Sequence, residues 1–215
     1  MTDITEKLTE EEIRQIVKNT QIVLSFGSAN GGFDIASEAY SIIKTRYEGQ
    51  NLYTLYSVDD ALVYFDAKTL KGKKGTKIED GKVLNDQWKE IYLEAIRNAN
   101  AMLFIITDAW LKSKWCWQEF GWYLEKKNDT SGRKKPLNVR FLLEKNARNR
   151  LANNKEVTDN TGKSHALDQL NQTIITTNKK GIDHEFDLTG KDKKPDFKSV
   201  LISAIQGCVF GEKNP

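Results

Sequence analysis

Histidine is nearly missing from this chain: only His165 and His184 occur in 215 residues. That argues against histidine-rich metal sites, and neither a His-Glu-x-x-His run nor paired Cys-x-x-Cys knuckles are present. A Ser-His-Asp hydrolase would need one of those two imidazoles as a base held by packing, and both lie in polar, poorly patterned stretches. Cysteine is equally sparse. Cys116 and Cys208 cannot build a disulfide framework, and they suit a reducing compartment. Excess charge of one sign is lacking too: 33 Lys+Arg against 30 Asp+Glu leave a net +3, without a strong nucleic-acid footprint. No apolar run approaches membrane-spanning length, and the first residues lack a signal peptide's apolar stretch. The expectation is a cytoplasmic protein with no membrane span and no nucleic-acid partner.

Nucleotide fingerprints are absent as well. The turn Gly27-Ser-Ala-Asn-Gly-Gly32 does not have Gly-x-Gly-x-x-Gly spacing, so no Rossmann-type dinucleotide signature is present. It could still present backbone N–H groups to a phosphate, or serve only as turn chemistry. Lys71-Gly-Lys-Lys-Gly-Thr-Lys77 inverts the Walker order, since Thr76 precedes Lys77, and no strand runs directly into it.

What is present is an alternation of apolar strands and amphipathic helices, which points to a parallel sheet covered on both faces. Strands are expected at Gln21–Phe26, Leu62–Phe65, Met102–Ile106, Val139–Leu143 and Thr173–Thr176, with an extended piece at Leu52–Tyr56. Helices are expected at Phe33–Tyr47, Asp86–Asn98, Lys114–Lys127 and Asp196–Cys208. A further amphipathic helix occupies residues 1–18, where Thr9 and Glu12 form a capping box ahead of Ile13, Ile16 and Val17. Residues 19–212 then form one α/β domain. Ala67–Leu84 reads as a long polar loop, and residues 144–171 are polar and weakly periodic.

The densest signal lies between Met102 and Glu119. Met102 to Ile106 is an unbroken apolar run, as expected of a strand buried on both faces. A polar corner follows at Thr107 and Asp108, and Ser113 stands where a helix N-cap would stand. On the ensuing helix Trp115, Glu119 and Trp122 fall at i, i+4 and i+7 and share one face. Open α/β sheets place ligand sites just beyond the C-terminal ends of their strands, where this carboxylate falls. The same spacing also suits an ordinary packed face with a solvated glutamate.

The pattern Thr107-x-x-x-Leu-x-Ser-x-Trp-Cys-x-x-Glu119 resembles the segment that marks the TIR (Toll/interleukin-1 receptor) domain family. Ile22-Val-Leu-Ser-Phe26 is similar to the first strand of that family, and Val63-Tyr-Phe-Asp-Ala-Lys-Thr-Leu-Lys-Gly72 to the second strand and the loop after it. The resemblance implies a flavodoxin-like TIR fold: a central parallel five-stranded sheet, helices on both faces, and the N-terminal helix as an addition. It further implies cleavage of NAD+ at the nicotinamide–ribose bond, with NAD+ as substrate and no cofactor or metal. Glu119 stands at the catalytic position. Trp115 would line the nicotinamide–ribose pocket, Ser25 and Phe26 its rim, with Gly27 and Ser28 beside them and Asp66 after the second strand. Gly27 stands where relatives often carry arginine. Ser113 and Cys116 read as a cap and a small buried residue. Self-association through Ala67–Leu84, an activating or inhibiting protein partner, and a role in antiphage defence or as an NAD-depleting toxin follow from the same resemblance. The alternatives are a non-catalytic TIR adaptor and a deoxyribosyltransferase-like nucleoside glycosidase.

Overall fold

The continuous apolar runs are explained by a sheet with a hydrophobic layer on each side. In a computed structural model, residues 7–48, 63–65, 69–79, 82–127, 137–178, 184–188 and 196–209 are described. Five parallel strands, β1 (Ile22–Phe26), β2 (Val63–Tyr64), β5 (Ala101–Ile106), β6 (Asn138–Glu144) and β9 (Glu185–Phe186), form one sheet in the order β2-β1-β5-β6-β9. Numbered within the sheet alone, that order is 2-1-3-4-5, the flavodoxin-like arrangement. Leu24 pairs with Leu103, Phe104 with Phe141, and Leu143 with Glu185.

Strand alternation divides the core. Val23, Met102, Phe104, Ile106, Phe141 and Leu143 point to one layer. Ile22, Leu24, Leu103, Ile105 and Leu142 point to the other. The second layer is closed by α2 (Gly32–Glu48) through Ile35, Ala39 and Ile43, and by α8 (Phe197–Val209) through Val200, Leu201 and Ala204. The first is closed by α1 (Glu10–Val17), α3 (Trp88–Asn98), the short α4 (Asp108–Leu111), α5 (Lys114–Lys127), α6 (Lys145–Asn153) and α7 (Asp168–Thr177). At its centre Phe104 stacks on Phe141, with centroids 4.8 Å apart. Among the described residues no helix is long and apolar enough to cross a membrane.

The N-terminal helix starts where its capping box places it. The Glu12 N–H donates to Thr9 Oγ1 at 3.2 Å, and Thr9 N–H donates to Glu12 Oε2 at 2.7 Å. Ile13 and Val17 are buried, and the helix packs on α3. A reciprocal clamp fixes its entry: Leu8 N–H donates to Gln87 Oε1, and Gln87 Nε2 donates to Leu8 O at 2.9 Å.

Two expectations are corrected. Thr173–Thr176 is not the fifth strand; it lies within α7. Its β-branched residues favour strand locally, but Leu170, Thr173 and Ile174 bury one helical face at i, i+3 and i+4. The Thr173 and Thr176 hydroxyls donate to Gln169 O and Gln172 O, so neither loses a partner in the helix. The fifth strand is instead Glu185–Phe186, which is too short to announce itself. Secondly, Ala67–Leu84 is not structureless: Thr76–Glu79 (β3) pairs antiparallel with Lys82–Asn85 (β4). Residues 144–171 also carry structure: α6, the hairpin of β7 (Glu156–Thr158) and β8 (Ser164–Ala166), and the start of α7. The extended piece expected at Leu52–Tyr56 lies outside the described residues.

Thr9→Ala removes the α1 cap oxygen and should lower unfolding free energy by about 1 kcal/mol. The readout is the urea midpoint at unchanged slope.

Candidate active site

Ser113 opens α5: its Oγ accepts from Cys116 N–H at 3.3 Å. From that cap the helix turns Cys116 inward, where its thiol donates to Phe26 O at 3.2 Å. Glu119, one turn later, is also turned inward and is buried at 6% exposure. It is therefore not a solvated surface glutamate. Its Oε2 accepts a 2.5 Å hydrogen bond from Ser25 Oγ, near the C-terminal end of β1. Ser25 is wholly buried and accepts in turn from Trp110 Nε1 at 3.0 Å. A strand, a corner and a helix thus meet at one hydroxyl.

Trp115 and Trp122 share the α5 face as the spacing requires, and both pack on Trp88 of α3, at 5.3 and 5.2 Å between centroids. Trp122 is buried, while Trp115 stays 50% exposed, with Lys114 Nζ over its ring at 4.5 Å. Phe26 is half-buried and meets Phe65 edge-on at 5.0 Å. Gly27 is buried, and a Cβ there would lie 2.4 Å from both Ala109 C and Trp110 N. That close approach seats the corner carrying Trp110 directly on the end of β1, and by itself accounts for glycine at this position. Ser28 is exposed beyond it. Asp66 lies outside the described residues.

Over 124 residues the chain is 32% identical to the 3' cyclic ADP-D-ribose synthase HopAM1 of Pseudomonas syringae pv. tomato. The match covers 54% of this chain, and the chain spans only 44% of that relative's length. No family model matches the chain. No solved structure matches it either.

A second polar cluster, not foreseen from the sequence, sits on the outer side of α5. His165 of β8 stacks on Trp117, with centroids 4.5 Å apart and planes within 3°. Its Nε2 contacts Asp159 Oδ2 at 2.8 Å. Asp159 Oδ1 also accepts from Thr161 N–H, Thr161 Oγ1 and Lys163 N–H. These bonds, led by that to His165, hold the Asp159 carboxyl far below the ordinary carboxylate range. Asn160 fastens this turn to the helix start, donating from its N–H to Lys112 O and accepting from Lys114 N–H. An open groove of about 580 Å³ runs between the turn and α5; Trp115 and Lys114 line it, and Glu119 does not.

The one site residue that sequence reasoning missed is Trp110. A tryptophan at a strand-to-helix corner was a signal, because a buried indole N–H needs an acceptor.

Two outcomes follow from these contacts. Gly27→Ala should destabilise by about 2 kcal/mol through its clash with backbone. Gly31→Ala, at φ 81° with nothing within 4 Å of its Cβ position, should cost only about 1 kcal/mol; paired denaturation curves check the difference. The lowered Asp159 value supplies stability that is fully present above its unfolded pKa of 3.8 and is lost as pH falls through that region. Asp159→Asn should therefore be less stable than wild type at pH 7, with the gap narrowing below pH 3.8 in melts across pH.

Proposed function

We propose that the chain is a TIR-like enzyme that cleaves the nicotinamide–ribose bond of NAD+, with Glu119 as the reacting carboxylate. The observation that carries this reading is the buried Glu119 carboxylate, held by Ser25 at a strand end with Trp115 one turn before it. Partial identity to a cyclic ADP-D-ribose synthase supports the same substrate class.

The chemistry needs little more. Nicotinamide in NAD+ already bears a positive charge, so heterolysis of the C–N bond sends the electron pair to nitrogen and releases a neutral molecule. No general acid is required. The ribosyl group left behind is an oxocarbenium-like cation, which a carboxylate at fixed distance stabilises electrostatically. Water then captures C1 and loses a proton to give ADP-ribose. Alternatively, a nucleophile within the same ADP-ribosyl unit captures C1, a hydroxyl then losing its proton to solvent, and gives a cyclic product, as the name of the partial relative would suggest here. The half-exposed indole of Trp115 forms the pocket wall beside the sugar in this reading. Self-association through Ala67–Leu84, now including the β3–β4 hairpin, and a role in defence or as an NAD-depleting toxin extend the proposal to the cell.

Purified protein incubated with NAD+ should release nicotinamide, resolved chromatographically together with the linear or cyclic product. Glu119→Gln should lower the rate by about 10²–10³-fold while the melting curve stays cooperative. Full activity in that variant would remove Glu119 from the reaction. Assembly without turnover in wild type would favour an adaptor, and competition by nucleosides rather than ADP-ribose would favour a nucleoside glycosidase.

A further inference from the structure

The Trp110 indole is fully buried and ends on the hydroxyl that holds Glu119. Proton counting gives this contact a direction. An indole N–H can only donate, so Ser25 Oγ must accept from it. The hydroxyl has one proton, and the one acceptor within reach among the described residues is Glu119 Oε2. With Glu119 Oε2 as the acceptor, both the indole N–H and the hydroxyl proton are paired. Were Oε2 to carry a proton of its own and donate it to Ser25, the hydroxyl hydrogen would be left in the core without an acceptor, which buried polar groups resist.

We infer that Trp110, acting through the Ser25 hydroxyl, is a positioning residue that keeps Glu119 Oε2 as an acceptor held in one place. This rests on reading Glu119 as the reacting carboxylate. It also gives Ser25 a task different from the substrate contact expected of it: its proton is committed inward. The indole's packing on Phe104, Trp117 and Phe120 fixes the origin of the relay within the first core layer.

The test uses the full chain with ¹³C-carboxyl-labelled glutamate. The Glu119 carboxylate stretch is identified in the infrared by subtracting the Glu119→Gln spectrum. Trp110→Phe and Ser25→Ala should each displace that band and lower kcat about tenfold, with KM within about twofold, as expected for one lost hydrogen bond felt in the transition state. The acid limb of the pH–rate profile should move to higher pH in both. Should Trp110→Phe fail to fold, the wild-type indole N–H signal of Trp110 replaces it. That signal should move to an unbonded position in Ser25→Ala protein. Folded variants with an unmoved band and unchanged kcat, or an indole signal indifferent to Ser25, would overturn the relay. A wild type that turns over no NAD+ would instead remove the enzymatic reading, and the infrared comparison would still decide the relay.

Discussion

The hydrogen bond from Ser25 to Glu119 is the constraint from which the arrangement of the site follows. Ser25 lies two residues after Val23, on the sheet face that carries α4 and α5, and it is the polar position in an otherwise apolar strand. A hydroxyl buried there must be paired, and a carboxylate buried opposite must be paired more urgently. Each supplies what the other lacks. The bond spans 94 residues of sequence, so it forms only when β1, β5 and α5 are already in register. The site is therefore a product of the completed fold and not of any local segment.

Backbone shape makes the meeting possible. Gly27 lets the chain leaving β1 press against Ala109 and Trp110, and the Cys116 thiol binds the neighbouring Phe26 carbonyl. The end of β1 is thus gripped from two successive helices. Farther out, Asp108 pairs with Arg150 at 2.6 Å, linking the same corner to α6. The β7–β8 hairpin adds a third fixing point through Asn160 at the first turn of α5. A helix anchored at its start through Cys116 and Asn160, behind a corner itself tied to α6, has little freedom to rotate Glu119 away from Ser25. That rigidity suits electrostatic stabilisation, in which the stabilising group must not reorganise as charge develops.

Legibility in the sequence tracked periodicity. Lys114–Lys127 is the helix that Ser113 and the 3.6-residue pattern require, and the apolar run Met102–Ile106 is the central strand, extended by Ala101. The capping box at Thr9 and Glu12 is a local chemical signal and appears as read. Failures fall where local and tertiary preferences part. Thr173–Thr176 has strand-like composition, but the space beside β6 calls for a helix, and helical spacing of Leu170, Thr173 and Ile174 satisfies it. Two-residue β9 carries too few residues to show a period at all. At the site, sequence spacing placed Glu119 and Trp115 on one face but could not bring Ser25 to the carboxylate or reveal Trp110 beneath it. Those contacts depend on sheet register, which no single segment encodes.

Two of the other buried acids among the described residues, Glu144 and Asp159, contrast with Glu119. Glu144 accepts from Ala147 N–H and caps α6, so its burial is explained by its own helix. Asp159 is engaged by four donors within its own hairpin. Both carboxylates serve the local backbone that carries them. Glu119 instead sits inside a helix and accepts from Ser25 of a distant strand. Burial of an acid is costly unless it is hydrogen-bonded, and the bond from Ser25 contributes that pairing. In the proposed reaction a carboxylate in such a place, at the strand ends where open α/β sheets receive ligands, would stabilise the developing sugar cation.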